Sequence, residues 1–183
     1  MRVISGEKKG FKLKSPKGIN TRPTEDRIKE SLFNILRDIH SQSIVLDLFA
    51  GSGGIGIEFL SRGAKKTFFV DKSYESIKCI KDNLIHTDYM GRSEIIKKDA
   101  FMAIKEFSKK NIKFDYIFAD PPYERGLSLK VLQTIDSLDI LRKEGLLIIE
   151  HEINLDLDNI PLVKLLKKDY RKYGSKAISI YTY

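Results

Sequence analysis

Residues 44–56 read Ile44-Val45-Leu46-Asp47-Leu48-Phe49-Ala50-Gly51-Ser52-Gly53-Gly54-Ile55-Gly56, an apolar run that breaks into a glycine-rich turn and then resumes with helical character. A strand over 44–49 and a helix over 54–62 make the opening unit of a βαβ crossover. Its glycines let the chain turn sharply and bring backbone close to a ligand where a side chain would collide. Gly51, Gly53 and Gly56 satisfy the G-x-G-x-x-G spacing of dinucleotide-binding turns, and Asp71 stands some twenty residues on, where a ribose-binding carboxylate belongs. By spacing alone, a nicotinamide or flavin enzyme stays open.

Outward from this turn, short apolar runs alternate with amphipathic stretches, the pattern of an α/β fold with parallel strands. Further strands are expected over 66–70, 94–98, 114–119 and 145–150, with helices over 74–86, 100–108 and 128–138 between them. The tail changes character. Residues 162–167 and 177–183 read as two strands joined by a tight connection around Arg171-Lys172-Tyr173-Gly174, an antiparallel pair that closes one edge of a seven-stranded sheet. Before the sheet, Thr24 reads as the N-cap of a helix with Glu25 and Asp26 in its first turn, and Ile28, Leu32, Phe33, Ile35, Leu36 and Ile39 supply an apolar face. The first twenty residues, with Gly6, Gly10, Pro16 and Gly18 among short apolar residues, read as a small hairpin or extended arm. The division is a basic arm over 1–22 and one α/β domain over 23–183, with no internal repeat.

At 183 residues the chain suits one well-buried core. Its 42% hydrophobic and 32% charged residues, without a long apolar run or a signal-peptide pattern at Met1-Arg2-Val3-Ile4, give an expectation of a cytoplasmic protein with no membrane partner. Cys79 is the only cysteine, which excludes an internal disulfide, and it reads as a packed or idle thiol. His40, His86 and His151 are scattered and lack metal-ligand spacing, so no metal site is expected. The net charge of +8 favours a polyanionic partner. The charge is concentrated at the start, where Arg2, Lys8, Lys9, Lys12, Lys14, Lys17, Arg22, Arg27 and Lys29 face only Glu7, Glu25, Asp26 and Glu30. Arg2, Lys8, Lys9, Lys12 and Arg22 are the candidate phosphate contacts; the plainer reading is a solvated arm.

The second informative stretch is Asp120-Pro121-Pro122-Tyr123, just past the apolar run 114–119. Two prolines hold the backbone extended and carry no N–H, so a carbonyl can face a cleft beside the Asp120 carboxylate while Tyr123 offers a flat face. Such a site can grip an exocyclic amine on a planar base and leave its nitrogen facing a methyl donor. The plainer reading is a turn that punctuates a strand. Asp47 lies before the glycine turn, where it opposes a cation and repels a pyrophosphate, which favours S-adenosylmethionine over a dinucleotide. On this reading Phe49, Ala50, Gly51, Ser52 and Gly53 pass close to the cofactor, Asp71 with Lys72 meets the ribose, and Asp99 with Ala100 and Phe101 borders the adenine. Thr24 faces the methionine carboxylate. Helix capping or initiation competes as the role of Asp71, Asp99 and Thr24.

The motifs together carry a resemblance. Asp47 to Gly56 with Asp120 to Tyr123 resemble a class I, Rossmann-like S-adenosylmethionine methyltransferase that modifies exocyclic amines. Arg2-Val3-Ile4-Ser5-Gly6, Arg22-Pro23-Thr24, Leu32-Phe33-Asn34 and Ser61-Arg62-Gly63-Ala64 narrow it to the bacterial 16S ribosomal RNA guanine-N2 methyltransferase family, RsmD-like, over nearly the whole chain. The resemblance implies methylation of a guanine N2 amine in 16S rRNA of the small ribosomal subunit or its assembly intermediate, by a monomer. Asp120, Pro121, Pro122 and Tyr123 would be the catalytic set. Two alternatives stay open: methylation of another exocyclic amine, such as DNA adenine N6 or protein glutamine, and a non-catalytic rRNA-binding assembly factor.

Overall fold

The computed structural model describes residues 1–16, 23–123, 126–157 and 159–183, without the side chains of 23–25. Helix α1 (Pro23–Leu36) precedes an alternating series: β1 (Ile44–Leu48), α2 (Gly54–Ser61), β2 (Lys66–Asp71), α3 (Tyr74–His86), β3 (Ser93–Lys97), α4 (Ala100–Lys109), β4 (Phe114–Ala119), α5 (Leu127–Ser137) and β5 (Leu141–Glu152). Strands β6 (Leu166–Tyr173) and β7 (Lys176–Thr182) complete a seven-stranded sheet of order β3-β2-β1-β4-β5-β7-β6. Strands β1 to β5 run parallel, and β7 and β6 add the antiparallel edge. This is the α/β Rossmann-like arrangement expected from the alternation.

Both faces of the sheet are covered, which is why its central strands read as continuous apolar runs. Leu46 and Leu48 of β1 face Ala103, Ile104 and Phe107 of α4 and Val131, Leu132 and Ile135 of α5. On the opposite face Val45 packs with Ile28, Leu32 and Phe33 of α1 and Phe59 of α2. Strand order reverses between β1 and β4, so the crevice beyond their carboxyl ends is the topological switch point of the sheet.

Three elements depart most from the sequence reading, and the other strand and helix ends of the α/β series lie within one residue of it. Helix α1 begins at Pro23, so Thr24 lies inside its first turn and is not the N-cap; proline suits a first helical position because its missing N–H has no intrahelical partner there. Strand β5 begins at Leu141, four residues before Gly145. The pairing with β4 shifts register between Phe114 and Tyr116, and a Cβ on Gly145 would lie 2.9 Å from the Arg142 carbonyl, so the glycine permits an irregularity within one strand. Strand β6 runs over Leu166–Tyr173, later than 162–167, and Gly174 with Ser175 makes the connection. Here Asp136 of α5 accepts the N–H groups of Val163, Lys164 and Leu165 at 2.7–2.9 Å, which holds that stretch as a loop.

The opening residues form a small hairpin, with an Arg2–Lys12 bridge and a Val3 N–H donated to the Phe11 carbonyl at 2.9 Å. Val3 and Leu13 are buried against Ile57 and Leu60 of α2 and Ile80 of α3. A single buried carboxylate anchors the segment: Glu58 accepts the N–H groups of Ile4 (2.8 Å) and Ser5 (2.9 Å) and pairs with Arg62 and Lys29. Burial lowers the Lys29 ammonium, and Glu58 opposes that shift. Cys79 is buried, and its thiol donates to the Lys14 carbonyl. Among the described residues there is no metal-binding cluster and no helix long and apolar enough to cross a membrane.

Candidate active site

Leu48 pairs with Val70 on one side and Ala119 on the other, so the turn after β1, the end of β2 and the tetrad after β4 leave the sheet side by side. They enclose a cavity of about 490 Å³, within the range of small-molecule sites.

The glycine turn is held from within. Gly51 has φ +56° and donates its N–H to Asp71 Oδ2 at 2.9 Å. Gly53 has φ +77°, donates to the Ala50 carbonyl at 2.7 Å and starts α2. Asn83 of α3 donates to the Ser52 carbonyl at 2.9 Å. A Cβ on Gly56 would sit 2.2 Å from the Phe69 ring, so α2 can approach β2 only without a side chain there. Phe49 also has positive φ (+58°), a conformation that costs a bulky residue roughly 1–2 kcal/mol. The turn sets its ring edge-on to Phe101, centroids 6.5 Å apart, and Lys130 lies over Phe101 at 4.4 Å. Phe49 and Phe101 thus give the cavity two aromatic walls.

Carboxylates ring the same space. Asp47 is buried and accepts the Gly56 N–H at 2.9 Å. Burial pushes its carboxyl well above the usual range; the Gly56 bond opposes this, while Asp71 and Asp120 add to it by repulsion. A cation entering the cavity relieves that repulsion and a pyrophosphate deepens it. Asp71 accepts from Gly51 and from Ser73, and Ser73 is the N-cap of α3, so Asp71 ties two turns together without being the cap itself. Asp99 does cap α4, accepting from Phe101 and Met102 on Oδ1, while it also lines the cavity.

Pro121 is buried, and Tyr123 is 50% exposed at the cavity mouth. Asp120, Pro121, Pro122 and Tyr123 all line the cavity, together with Asp47, Phe49, Ala50, Gly51, Ser52, Asp71, Lys72, Asp99 and Ala100. Gly53 does not line it and only shapes the turn. The Thr24 side chain and Arg22 lie outside the described residues. Of the basic candidates, Arg2, Lys9 and Lys12 are exposed, whereas Lys8 is partly covered, beside Glu7 at 3.4 Å and near the Phe11 and Tyr89 rings.

Among the lining residues that escaped the sequence reading, two carry opposite charges and meet. Glu150, near the end of β5, and Lys176, the first residue of β7, form an ion pair beside Tyr123. Glu150 pairs in register with Ile178 and Glu152 with Lys176, so Lys176 reaches Glu150 diagonally across the antiparallel ladder. Burial lowers the Lys176 ammonium, but Glu150 outweighs it, with help from Tyr123 and Asp120, and the net shift is upward. The signal in sequence is a lone charge closing the otherwise apolar run Leu146-Leu147-Ile148-Ile149.

The sheet order, the glycine turn at the switch point and the tetrad 120–123 beside it define an α/β Rossmann-like methyltransferase of class I. Residues 1–182 match the model of the family described as Conserved hypothetical protein 95, and the chain belongs to that family. It is 38% identical to the "Putative rRNA methyltransferase YlbH" of Bacillus subtilis, over 99% of this chain and 98% of that one. It is 31% identical to the "Ribosomal RNA small subunit methyltransferase D" of Escherichia coli K12, over 88% of this chain and 79% of that one. Among solved structures, the "Putative methyltransferase yhhF" of Escherichia coli superposes with a TM-score of 0.83 at 28% identity, covering 99% of this chain and 96% of that one. The RsmD-like resemblance in the motifs agrees with these relatives.

Proposed function

We propose that this chain transfers the methyl group of S-adenosylmethionine to the exocyclic N2 amine of a guanine in 16S rRNA of the small ribosomal subunit or its assembly intermediate. The observation that carries the reading is the adjacency of the tetrad 120–123 and the carboxylate-ringed glycine turn around one cavity, supported by the names of the relatives. The cofactor fits the donor set. Asp71 offers acceptors to ribose hydroxyls, Phe49 and Phe101 offer faces to adenine, and a cation in the cavity offsets the burial and repulsion that push the Asp47 carboxyl up.

Bound S-adenosylmethionine supplies an electrophilic methyl group on a sulfonium. Asp120 and the Pro121 carbonyl accept the two N–H bonds of the amine, which favours a more pyramidal nitrogen and aims its lone pair into the cavity. Alignment of this kind can remove several kcal/mol of barrier. Tyr123 stacks on a base swung out of its RNA neighbours. The methylated amine then loses its proton to water. Arg2, Lys9 and Lys12 contribute phosphate contacts, which fix register more than sequence.

Incubating the protein with labelled cofactor and, separately, small-subunit particles, naked 16S rRNA and DNA, then digesting to nucleosides, tests the reading. N2-methylguanosine from the rRNA substrates is the expected product. N6-methyladenine in DNA would replace the substrate assignment, and cofactor binding without methyl transfer to any nucleic acid would favour an assembly factor.

A further inference from the structure

We propose that Lys176 and Glu150 act with Asp120 as readers of the hydrogen-bonding edge of the target base and restrict the site to guanine. The inference rests on the guanine-N2 reading and adds to it the residues that choose the base. Asp120 alone cannot choose, because a carboxylate beside a proline carbonyl accepts protons from the exocyclic amine of guanine, adenine or cytosine alike.

The structure sets three charged groups around one aromatic platform. Asp120, Glu150 and Lys176 line the same cavity as Tyr123, and all three act electrostatically on its hydroxyl. Lys176 Nζ lies 5.5 Å from the Tyr123 ring centroid and is held by Glu150 Oε1. An ammonium carries three donors and a carboxylate about four acceptor positions, so after Lys176 bonds Glu150 and the Tyr123 hydroxyl it keeps one donor, and Glu150 keeps acceptor capacity. A base stacked on Tyr123 therefore meets one donor and two acceptors.

That set complements a single nucleobase. The edge of guanine runs from the O6 acceptor through the N1–H donor to the N2 amine, and these match Lys176, Glu150 and Asp120 in turn. Adenine, held by its N6 amine at Asp120, would turn the N1 lone pair toward Glu150 and present no oxygen to Lys176. Cytosine, held by N4, would turn its N3 lone pair toward the same carboxylate. In both cases two acceptors face each other, and buried groups left without partners are what make a polar site selective. The competing reading is a staple that only joins β5 to β7.

The test uses small-subunit particles reconstituted with either guanine or 2-aminopurine at the nucleotide that the wild-type protein methylates. 2-Aminopurine keeps the exocyclic amine and lacks both O6 and the N1 proton. The wild type should prefer guanine in kcat/KM by about 10- to 100-fold, the range for hydrogen bonds to charged groups. Lys176→Met should lose a similar factor on guanine and little on 2-aminopurine, so that the preference shrinks to a few-fold. S-adenosylmethionine affinity by calorimetry should stay near wild type, which reports an intact fold. Glu150→Gln should narrow the preference as well. If both variants slow the two substrates equally and the preference persists, the pair is a strand staple and the inference fails while the guanine assignment stands. If the wild type places its methyl group on another base or atom, the underlying reading fails first.

Discussion

The turn after β1 and the turn after β4 leave neighbouring strands at the same level, yet they are held in opposite ways. Between Phe49 and Gly56 the backbone is fixed by its own protein: Asp71 takes the Gly51 N–H, Ala50 the Gly53 N–H, Asp47 the Gly56 N–H, and Asn83 holds Ser52. Between Asp120 and Tyr123 two prolines withhold their N–H groups, and the aromatic ring stands half exposed at the mouth. The first turn is closed by protein partners alone, so groups that bind there need little reordering. The second is stiff in backbone but open in side chain, as the proposed entry and exit of a base would require.

The largest effect should come from the open turn. Asp120→Ala should lower the methyl-transfer rate by about 10²–10³-fold, the scale for losing one aligned electrostatic contact, with cofactor affinity near wild type. A wild-type rate would make the tetrad a structural turn and erase the contrast. Next is Asp71→Ala, which removes the proposed ribose acceptors and also releases the Gly51 and Ser73 N–H groups. Affinity for S-adenosylmethionine should fall by about 1.5–3 kcal/mol by calorimetry. An unchanged dissociation constant would leave Asp71 only a brace.

Tyr123→Ala should weaken binding or turnover of RNA by about 1–3 kcal/mol, the worth of one stacked base, and Tyr123→Phe by a few-fold at most because the face survives. A Phe variant as slow as Asp120→Ala would mean that the hydroxyl beside Lys176 matters more than the ring. The smallest effect is on stability. Because the fold raises the Asp47 carboxyl, the native state keeps this proton at pH values where the unfolded chain has released it. The associated stability is complete below the ordinary value of 3.8 and is lost as pH rises through the raised native value. Asp47→Asn can still accept from Gly56, so the melting temperature at neutral pH should rise by a few degrees, on a scale of about 2–4 °C per kcal/mol, while cofactor affinity falls. A lower melting temperature would show that α2 needs the charged form.

These two turns were legible in the sequence because each is a contiguous motif, 47–56 and 120–123, although Asp71 and Asn83, which brace the first, lie 20 and 31 residues beyond the groups they hold. Most strands and helices were legible for the same reason, since their periodicity reports which faces are covered. What was hidden depends on distant partners. The apolar stretch 162–165 resembles a strand, but Asp136, 27 to 29 residues earlier, captures its N–H groups and holds it as a loop. The true edge strand, Leu-Lys-Lys-Asp-Tyr-Arg-Lys-Tyr, is charged as exposed edges commonly are, which masks it as a surface loop. Glu150 and Lys176 lie 26 residues apart and meet only through the pairing of β5 with β7.

The anchoring of the opening hairpin on Glu58 has a consequence for the order in which the protein takes shape. Ile4 emerges during synthesis 54 residues before the carboxylate that fixes its amide, and Lys14 emerges 69 residues before Asn83, which accepts its N–H. Val3 and Leu13 have no apolar surface to cover until α2 and α3 have been made. Translation therefore delivers this segment well before the fold claims it, which delays its protection from proteases and chaperones until α2 and α3 have been made.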